Sequence, residues 1–242
     1  MERIDDTGLG GMRVIQKEGI GYGVDAILLA AFAAGETGAK GLREGSSILD
    51  LGSGSGIIGF ALLHKVKGSS VVGVDVREGA VDRAGRAAEL NGVMDRIHFI
   101  CADCKGLEKI EGIDAVVSNP PYFRKEGAIP STTGDKYLAR HETSATLTDF
   151  VETSVRMLDN GGSLYMVHRP DRLVDIFTEL RAHGMEPKEL QLVTPHPGEA
   201  ANIALIHAVR GAGSELKLLP DIAVHKANGE YTDMIERIYE RK

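Results

Sequence analysis

From Ser46 onward the chain alternates short β-rich runs with longer segments whose apolar positions recur every three or four residues. The short runs are "SILDL" (47–51), "SVVGVDV" (70–76), "RIHFICA" (96–102), "IDAVVS" (113–118), "GSLYMVH" (162–168), "LQLVTP" (190–195) and "ANIALIHAVR" (201–210). Their branched and aromatic content predicts strands, and the spacing within Ile57–Lys65, Gly79–Asn91, Leu147–Leu158 and Asp171–His183 predicts helices. Strands that alternate with helices in this way fold as α/β, with helices packed around a doubly wound, mainly parallel sheet of seven strands. The last two strands are joined by "HPGEA" alone, too short for a crossover helix, so they must form an antiparallel hairpin.

The pattern leaves residues 1–45 as an N-terminal extension, 46–210 as the core and 211–242 as a tail, with no repeat or linker to divide the 242 residues into more than one domain. At 43% hydrophobic, the chain can bury a core of useful size. Its longest uninterrupted apolar run, Ala26–Ala34, falls short of the roughly 20 residues that cross a bilayer as a helix. The first residues, "MERIDDTGLGG", lack the basic segment and apolar stretch of a secretory signal, so the expected location is the cytoplasm, without membrane contact. The formal charge of −7 argues against a generally polyanion-seeking surface but leaves room for a local basic patch. Phe123–Thr146 is long, polar and in part positive, as expected of a functional loop.

Cys101 and Cys104 have the spacing of a redox pair or of half a zinc site. With no second cysteine pair and no histidine cluster nearby, they are expected to be structural, with Cys101 at the end of a buried strand, and no metal is expected.

"LDLGSGSGIIG", Leu49–Gly59, follows the first strand of the core and opens its first helix. Glycines let a ligand approach the backbone, and a helix start offers unpaired N–H groups, so a nucleotide-like ligand is expected here. Gly54, Gly56 and Gly59 also satisfy the dinucleotide pattern G-x-G-x-x-G, which alone fits an NAD enzyme equally well. Asp50 shifts the balance, because a carboxylate beside a pyrophosphate is repulsive whereas one near an ammonium, such as that of S-adenosylmethionine, is favourable. Asp75, at the end of the second core strand, can accept from both ribose hydroxyls of either ligand. Asp103 can accept from an adenine amine, with Ala102 or Cys104 giving backbone contacts at the ring edge; a solvent-facing turn is its other role.

Over about residues 46–210 the chain resembles the class I S-adenosylmethionine-dependent methyltransferases, a Rossmann-like family, most sharply at Asp50, Gly52, Gly54, Gly56, Asp75 and Asp103. Upstream, "YGVDAILLAAF" (22–32) resembles the segment that precedes the glycine loop in methyltransferases acting on amines. That resemblance implies that Tyr22 and Asp25 lie over the methionine end of the cofactor. The same segment fits an amphipathic helix capped by Asp25.

"SNPPYF", Ser118–Phe123, ends the fourth core strand, where its carboxyl edge faces the same crevice. An amine attached to a π-system is a poor nucleophile, since its lone pair is delocalised. Two acceptors holding its hydrogens can pull the nitrogen toward a pyramid and aim the lone pair. Asn119 can supply its side-chain oxygen and Pro120 its backbone carbonyl, stiffened by the ring of Pro121. Tyr122 offers a face on which a planar substrate stacks, and Phe123 an apolar wall. Catalysis of this kind is alignment and electrostatics, without a strong general base.

The motif resembles that of enzymes methylating adenine amines in nucleic acid, and that of enzymes methylating a glutamine in peptide-release factors. The latter usually carry a separate helical domain, for which the forty-five or so residues before Leu49 are too few. The chain is more similar to the bacterial family of tRNA adenine N6-methyltransferases that modify valine tRNA beside its anticodon. That similarity extends to "GYGVDAILLAAF", to "ARHE" (139–142) and to the tail "VHKANGEYTDMIERIY" (224–239). It implies a tRNA partner whose flipped adenine stacks in the pocket. Arg124, Lys125, Lys136, Arg140 and His141, with Lys217 and Lys226 on the tail, are candidates for the phosphate track, while His168, His196 and His207 are expected to be structural. The alternatives are methylation of a protein glutamine or small-molecule amine, and a cofactor-binding protein without catalysis.

Overall fold

The computed structural model describes residues 1–17, 19, 21–120 and 145–240. It opens on an antiparallel hairpin, β1 (Glu2–Asp6) and β2 (Arg13–Lys17), followed by helix α1 (Val24–Ala33). The core elements follow in the order β3 (Ser47–Leu51), α2 (Ile57–Lys65), β4 (Ser70–Asp75), α3 (Glu78–Asn91), β5 (Ile97–Cys101) and β6 (Ile113–Ser118). After the segment 121–144 come α4 (Leu147–Met157), β7 (Leu158–His168), α5 (Leu173–Ala182), β8 (Met185–Thr194) and β9 (Ile203–Arg210). Two-residue strands β10 (Lys217–Leu218) and β11 (Ile222–Ala223) and the short helix α6 (Asp233–Ile238) end the described chain.

The main sheet runs β10-β8-β9-β7-β6-β3-β4-β5, with β11 also on β8. β3 pairs with β4 and β6 in parallel, and β9 is antiparallel to both β7 and β8. The expected doubly wound sheet and its closing hairpin are therefore present. The sheet has nine strands rather than seven, because β10 and β11 are too short to carry an alternating pattern.

Period-two alternation sorts the strand residues between two cores. Ile48, Ala115, Val117, Tyr165 and Val167 meet α1 and α2, whereas Leu49, Leu51, Val116, Leu164 and Met166 meet α4 and α5. α4 starts cleanly, with a capping box in which Thr146 and Asp149 satisfy each other's backbone N–H groups. Its buried Phe150, Val151 and Met157 then lie on one side.

α1 departs from the expected amphipathic helix. Ala26 to Ala33 are all buried, and the N-cap position is Gly23, with Asp25 inside the first turn, where its side chain accepts from Ala26 N. A helix covered all round needs a cover on each side. The sheet lies beneath it, where Phe32 meets Tyr165 edge to face at 6.0 Å, and α2 and tail residues such as Ile235 and Ile238 complete the enclosure. A second departure is Cys101, which is exposed while Cys104 is buried, because β5 forms the edge of the sheet. No described helix is long and apolar enough to cross a membrane.

Candidate active site

β3 lies between β4 and β6, so their carboxyl ends bring the glycine loop, Asp75 and Asn119 to one edge. Asp75 and Asn119 flank the loop at about two strand spacings, roughly 10 Å, which is room for a nucleoside-sized ligand lying over β3. Beyond β3 the N–H groups of Gly52 and Ser53 both donate to Val74 O at 2.8 and 3.0 Å, folding the loop back over β4. Gly56 starts α2 with φ at 77°, and a Cβ there would stand 2.6 Å from Phe99 and 2.9 Å from Phe60. Only glycine combines that backbone with that packing.

Asp75 is 5% exposed, and its carboxylate is the most heavily bonded group at this edge. Oδ2 accepts from Gly54 N at 2.8 Å, and Oδ1 from Arg77 N at 3.0 Å. The Arg77 side chain adds Nε to Oδ1 at 2.9 Å and Nη2 to Oδ2 at 3.0 Å. Burial alone would raise its pKa, but the Arg77 hydrogen bonds and charge, with the backbone N–H groups of Arg77 and Gly54, hold it below the usual carboxylate value. The guanidinium also lies near the loop, 3.6 Å from where a Cβ on Gly54 would stand. Sequence reasoning assigned Asp75 to a ribose but missed Arg77, although an arginine two residues after a strand-end aspartate was the available signal.

Asp50 sits deeper than expected. Sharing the parity of Ile48, it turns toward α2, where its fully buried carboxyl accepts from Gly59 N at 3.2 Å. Burial drives its pKa up to about 7, opposed by the Gly59 bond and reinforced by the Asp75 charge. Asp50 Oδ1 and Ser53 Oγ, two buried oxygens at this loop, have no hydrogen-bond partner among the described residues. Buried polar atoms without partners are rare, and such a pair fits a polar ligand seated on the loop.

Beyond β5, Ala102 N donates to Asp75 O at 3.1 Å, tying the adenine-edge candidates to the ribose candidate. Asp103 is the N-cap of a single 3₁₀ turn, accepting from Lys105 N at 3.0 Å, with Lys105 Nζ 3.5 Å away. The carbonyl of Cys104 is turned inward, accepting from Thr153 Oγ1 and Arg156 Nη2.

At the end of β6, Ser118 Oγ donates to Leu51 O at 2.8 Å, fastening this strand end to β3. Asn119 is half-buried, and its Nδ2 donates to Asp25 Oδ2 at 3.0 Å. Pro120 is buried, and Tyr22 is half-buried against the core that holds α1. Pro121, Tyr122, Phe123, Arg124, Lys125, Lys136, Arg140 and His141 lie outside the described residues. The tail lysines are ion-paired, Lys217 with Glu189 at 3.9 Å and Lys226 with Asp233 at 2.9 Å.

The histidines agree with structural roles. His168 is buried with its pKa pushed down to about 4 by that burial, and it accepts from Arg169 N. His207 bridges Glu189 Oε2 and Ser163 Oγ, each at 3.1 Å, within the sheet. Among the described residues no group of three or more His, Cys, Asp or Glu is placed to hold a metal ion.

The sequence profile of the methyltransferase small domain family matches residues 25–179. A tRNA1(Val) (adenine(37)-N6)-methyltransferase of Porphyromonas gingivalis is 28% identical over 245 residues, covering 98% of this chain and 90% of that protein. A release factor glutamine methyltransferase of Fusobacterium nucleatum is 42% identical over 84 residues, 34% of this chain and 23% of that protein. Among solved structures, a predicted O-methyltransferase from Agrobacterium tumefaciens superposes with a TM-score of 0.69 at 23% identity, over 89% of this chain and 95% of that one.

Proposed function

The chain belongs to the methyltransferase small domain family, and from that premise we propose that it transfers a methyl group from S-adenosylmethionine to the exocyclic amine of an adenine in tRNA, beside the anticodon. The observation that carries this reading is Asn119, held by its amide nitrogen at the end of β6, on the same edge as Asp75 and the glycine loop. When bound, the cofactor supplies a methyl group made electrophilic by the positive sulfonium.

The residues of the chain do the rest. Asp75 would exchange its Arg77 bonds for the ribose hydroxyls, the loop at Gly52, Gly54 and Gly56 would give the ligand close access to backbone, and Asp103 and Ala102 would serve the adenine edge. Asn119 Oδ1 and the Pro120 carbonyl accept the two hydrogens of the substrate amine, turning its lone pair toward the crevice. Tyr122 offers the face on which the base would stack, and Phe123 an apolar wall. No base is required before attack, because the amine becomes acidic only once it has gained the methyl.

Similarity over 98% of the chain to an adenine-modifying tRNA enzyme supports RNA as the substrate class, whereas the glutamine-modifying relative is matched over a third. Single-stranded loop bases can be splayed out and stacked, which suits a pocket built around a planar amine. Arg124, Lys125, Arg140 and His141 then follow the phosphates of the loop. Since the tail lysines already have acidic partners, the segment carrying these four residues is the stronger candidate for the track.

The test is methyl transfer from labelled cofactor to total tRNA, followed by mass spectrometry of the nucleosides. N6-methyladenosine in a valine tRNA is the expected product. Label found only in protein moves the substrate to a glutamine, and tight cofactor binding with no product anywhere leaves a binding protein. Replacing Arg124, Lys125 and Arg140 together with alanine should weaken tRNA binding and flatten its salt dependence. An unchanged slope places the track elsewhere.

A further inference from the structure

Asp25 reaches the reaction edge from outside the core sheet. It is the second residue of α1, whose next eight residues are all buried, so its backbone is anchored in the core. Oδ1 accepts from Ala26 N and Oδ2 from Asn119 Nδ2, both at 3.0 Å. Each oxygen thus already serves the protein itself. Its charge also complements the positive end of the helix on which it stands.

The chemistry of this pair is asymmetric. A primary amide presents an acceptor and a donor of almost the same shape, and by itself it can face a pocket either way. An ionised carboxylate only accepts. Beside Asp25, therefore, the nitrogen of Asn119 must face the carboxylate, since the opposite orientation would set oxygen against oxygen. The carbonyl oxygen is left at the opposite edge of the planar amide, facing away from the carboxylate. The backbone is constrained as well, because Pro120 disfavours the helical region for the residue before it and Ser118 is fastened to β3.

We propose that Asp25 is a positioning residue that fixes the Asn119 side chain with its oxygen toward the substrate amine, rather than a ligand of the cofactor. The inference rests on the methyl-transfer reading given above and adds to it a residue that acts through another. Without Asp25, the amide samples the flipped orientation, in which its NH2 group opposes the amine hydrogens. Cofactor binding is left almost untouched, because neither the glycine loop nor Asp75 depends on Asp25.

The experiment uses the full chain with Asp25→Ala, Asp25→Asn, Asn119→Ala and the double variant Asp25→Ala/Asn119→Ala. Single-turnover transfer to tRNA should fall roughly tenfold to hundredfold in Asp25→Ala, the scale expected when a reacting group is misplaced. Calorimetry with S-adenosylhomocysteine should give an unchanged affinity. Asp25→Asn keeps an acceptor opposite Asn119 and should recover most of the rate, and the double variant should be no slower than Asn119→Ala. Loss of S-adenosylhomocysteine affinity at a normal rate would make Asp25 a cofactor ligand, and losses that multiply in the double variant would make it independent of Asn119. A fold that fails with alanine leaves the Asp25→Asn comparison standing.

A second readout needs no substrate. The side-chain NH2 signal of Asn119 in ¹⁵N-labelled protein, assigned by its loss in Asn119→Ala, should shift and exchange faster with water when Asp25 is replaced. If wild type does not methylate tRNA but this signal responds, the functional reading fails and the orientation stands. If wild type methylates tRNA and the signal is indifferent to Asp25, the orientation fails alone.

Discussion

The two ends of the crevice hold their key side chains in opposite ways. Asp75 is paired locally, with both oxygens covered by the guanidinium of a residue two positions along the same turn. Asn119 is paired across the chain, with a carboxylate 94 residues earlier, and through its nitrogen. The first is a closed pair that a ligand would have to open on the proposed reading, and Arg77, 43% exposed, has water in which to swing away. The second, as proposed, would orient its working atom before any ligand arrives. Cofactor binding should therefore involve local rearrangement, whereas the reaction end should work as built.

The largest effect expected from breaking this contrast lies beneath the cofactor end. Because the pKa of Asp50 is raised to about 7 by burial, its folded form resists ionisation that the unfolded chain completes near pH 4. The contribution of Asp50 to stability should be fully present below that pH and should be lost as pH rises through 7, by on the order of 4 kcal/mol at most, since one pKa unit is worth about 1.4 kcal/mol. Asp50→Asn should remove that slope and melt higher at pH 8. Denaturant midpoints that fall equally with pH in both proteins would show that Asp50 ionises without penalty.

Next in size is Asn119→Ala, which removes an acceptor the transition state needs and should slow single-turnover transfer about a hundredfold, on the order of 3 kcal/mol. Cofactor affinity should stay near its original value. A normal rate would mean that the reaction end is not at Asn119.

Asp75→Ala addresses the opposite end. Hydrogen bonds to a charged group contribute about 1.5 to 3 kcal/mol, so affinity for both cofactor and product should drop by at least about tenfold, with folding checked by melting. Unchanged calorimetric affinity would remove Asp75 from the site. The smallest effect should come from Arg77→Ala, which opens the pair in advance. Since partly exposed ion pairs contribute about 1 kcal/mol or less, affinity should improve only severalfold. Weaker binding would mean that Arg77 holds the ligand instead of competing with it.

Much of the sheet was legible because strands β3 to β9 carry runs long enough to show their period. β1, in "ERIDD", and the two-residue β10 and β11 carry no such run. α1 was legible as a helix but not as a buried one: the amphipathic reading implies an exposed face, and Ala26 to Ala33 have none. At the site, residue types and strand ends pointed to Asp75 and Asn119, but partners did not follow from them. The Asp25 contact spans too much chain for spacing arguments, and only the fold brings it about. The inward turn of Asp50 follows from its parity with Ile48, which the residue type alone does not convey.

The enclosure of α1 also has a consequence in time. Phe32 leaves the ribosome long before Tyr165, the ring it packs against, and before the tail residues that cover its other side. At translation rates of about 5 to 20 residues per second, that interval is on the order of ten seconds. Throughout it the nascent chain displays the apolar segment Ala26 to Ala33 with only part of its native cover, chiefly α2, yet made. Protection during synthesis, by a holding chaperone or by a transient collapse with the preceding hairpin, would then decide yield more than the stability of the finished molecule does.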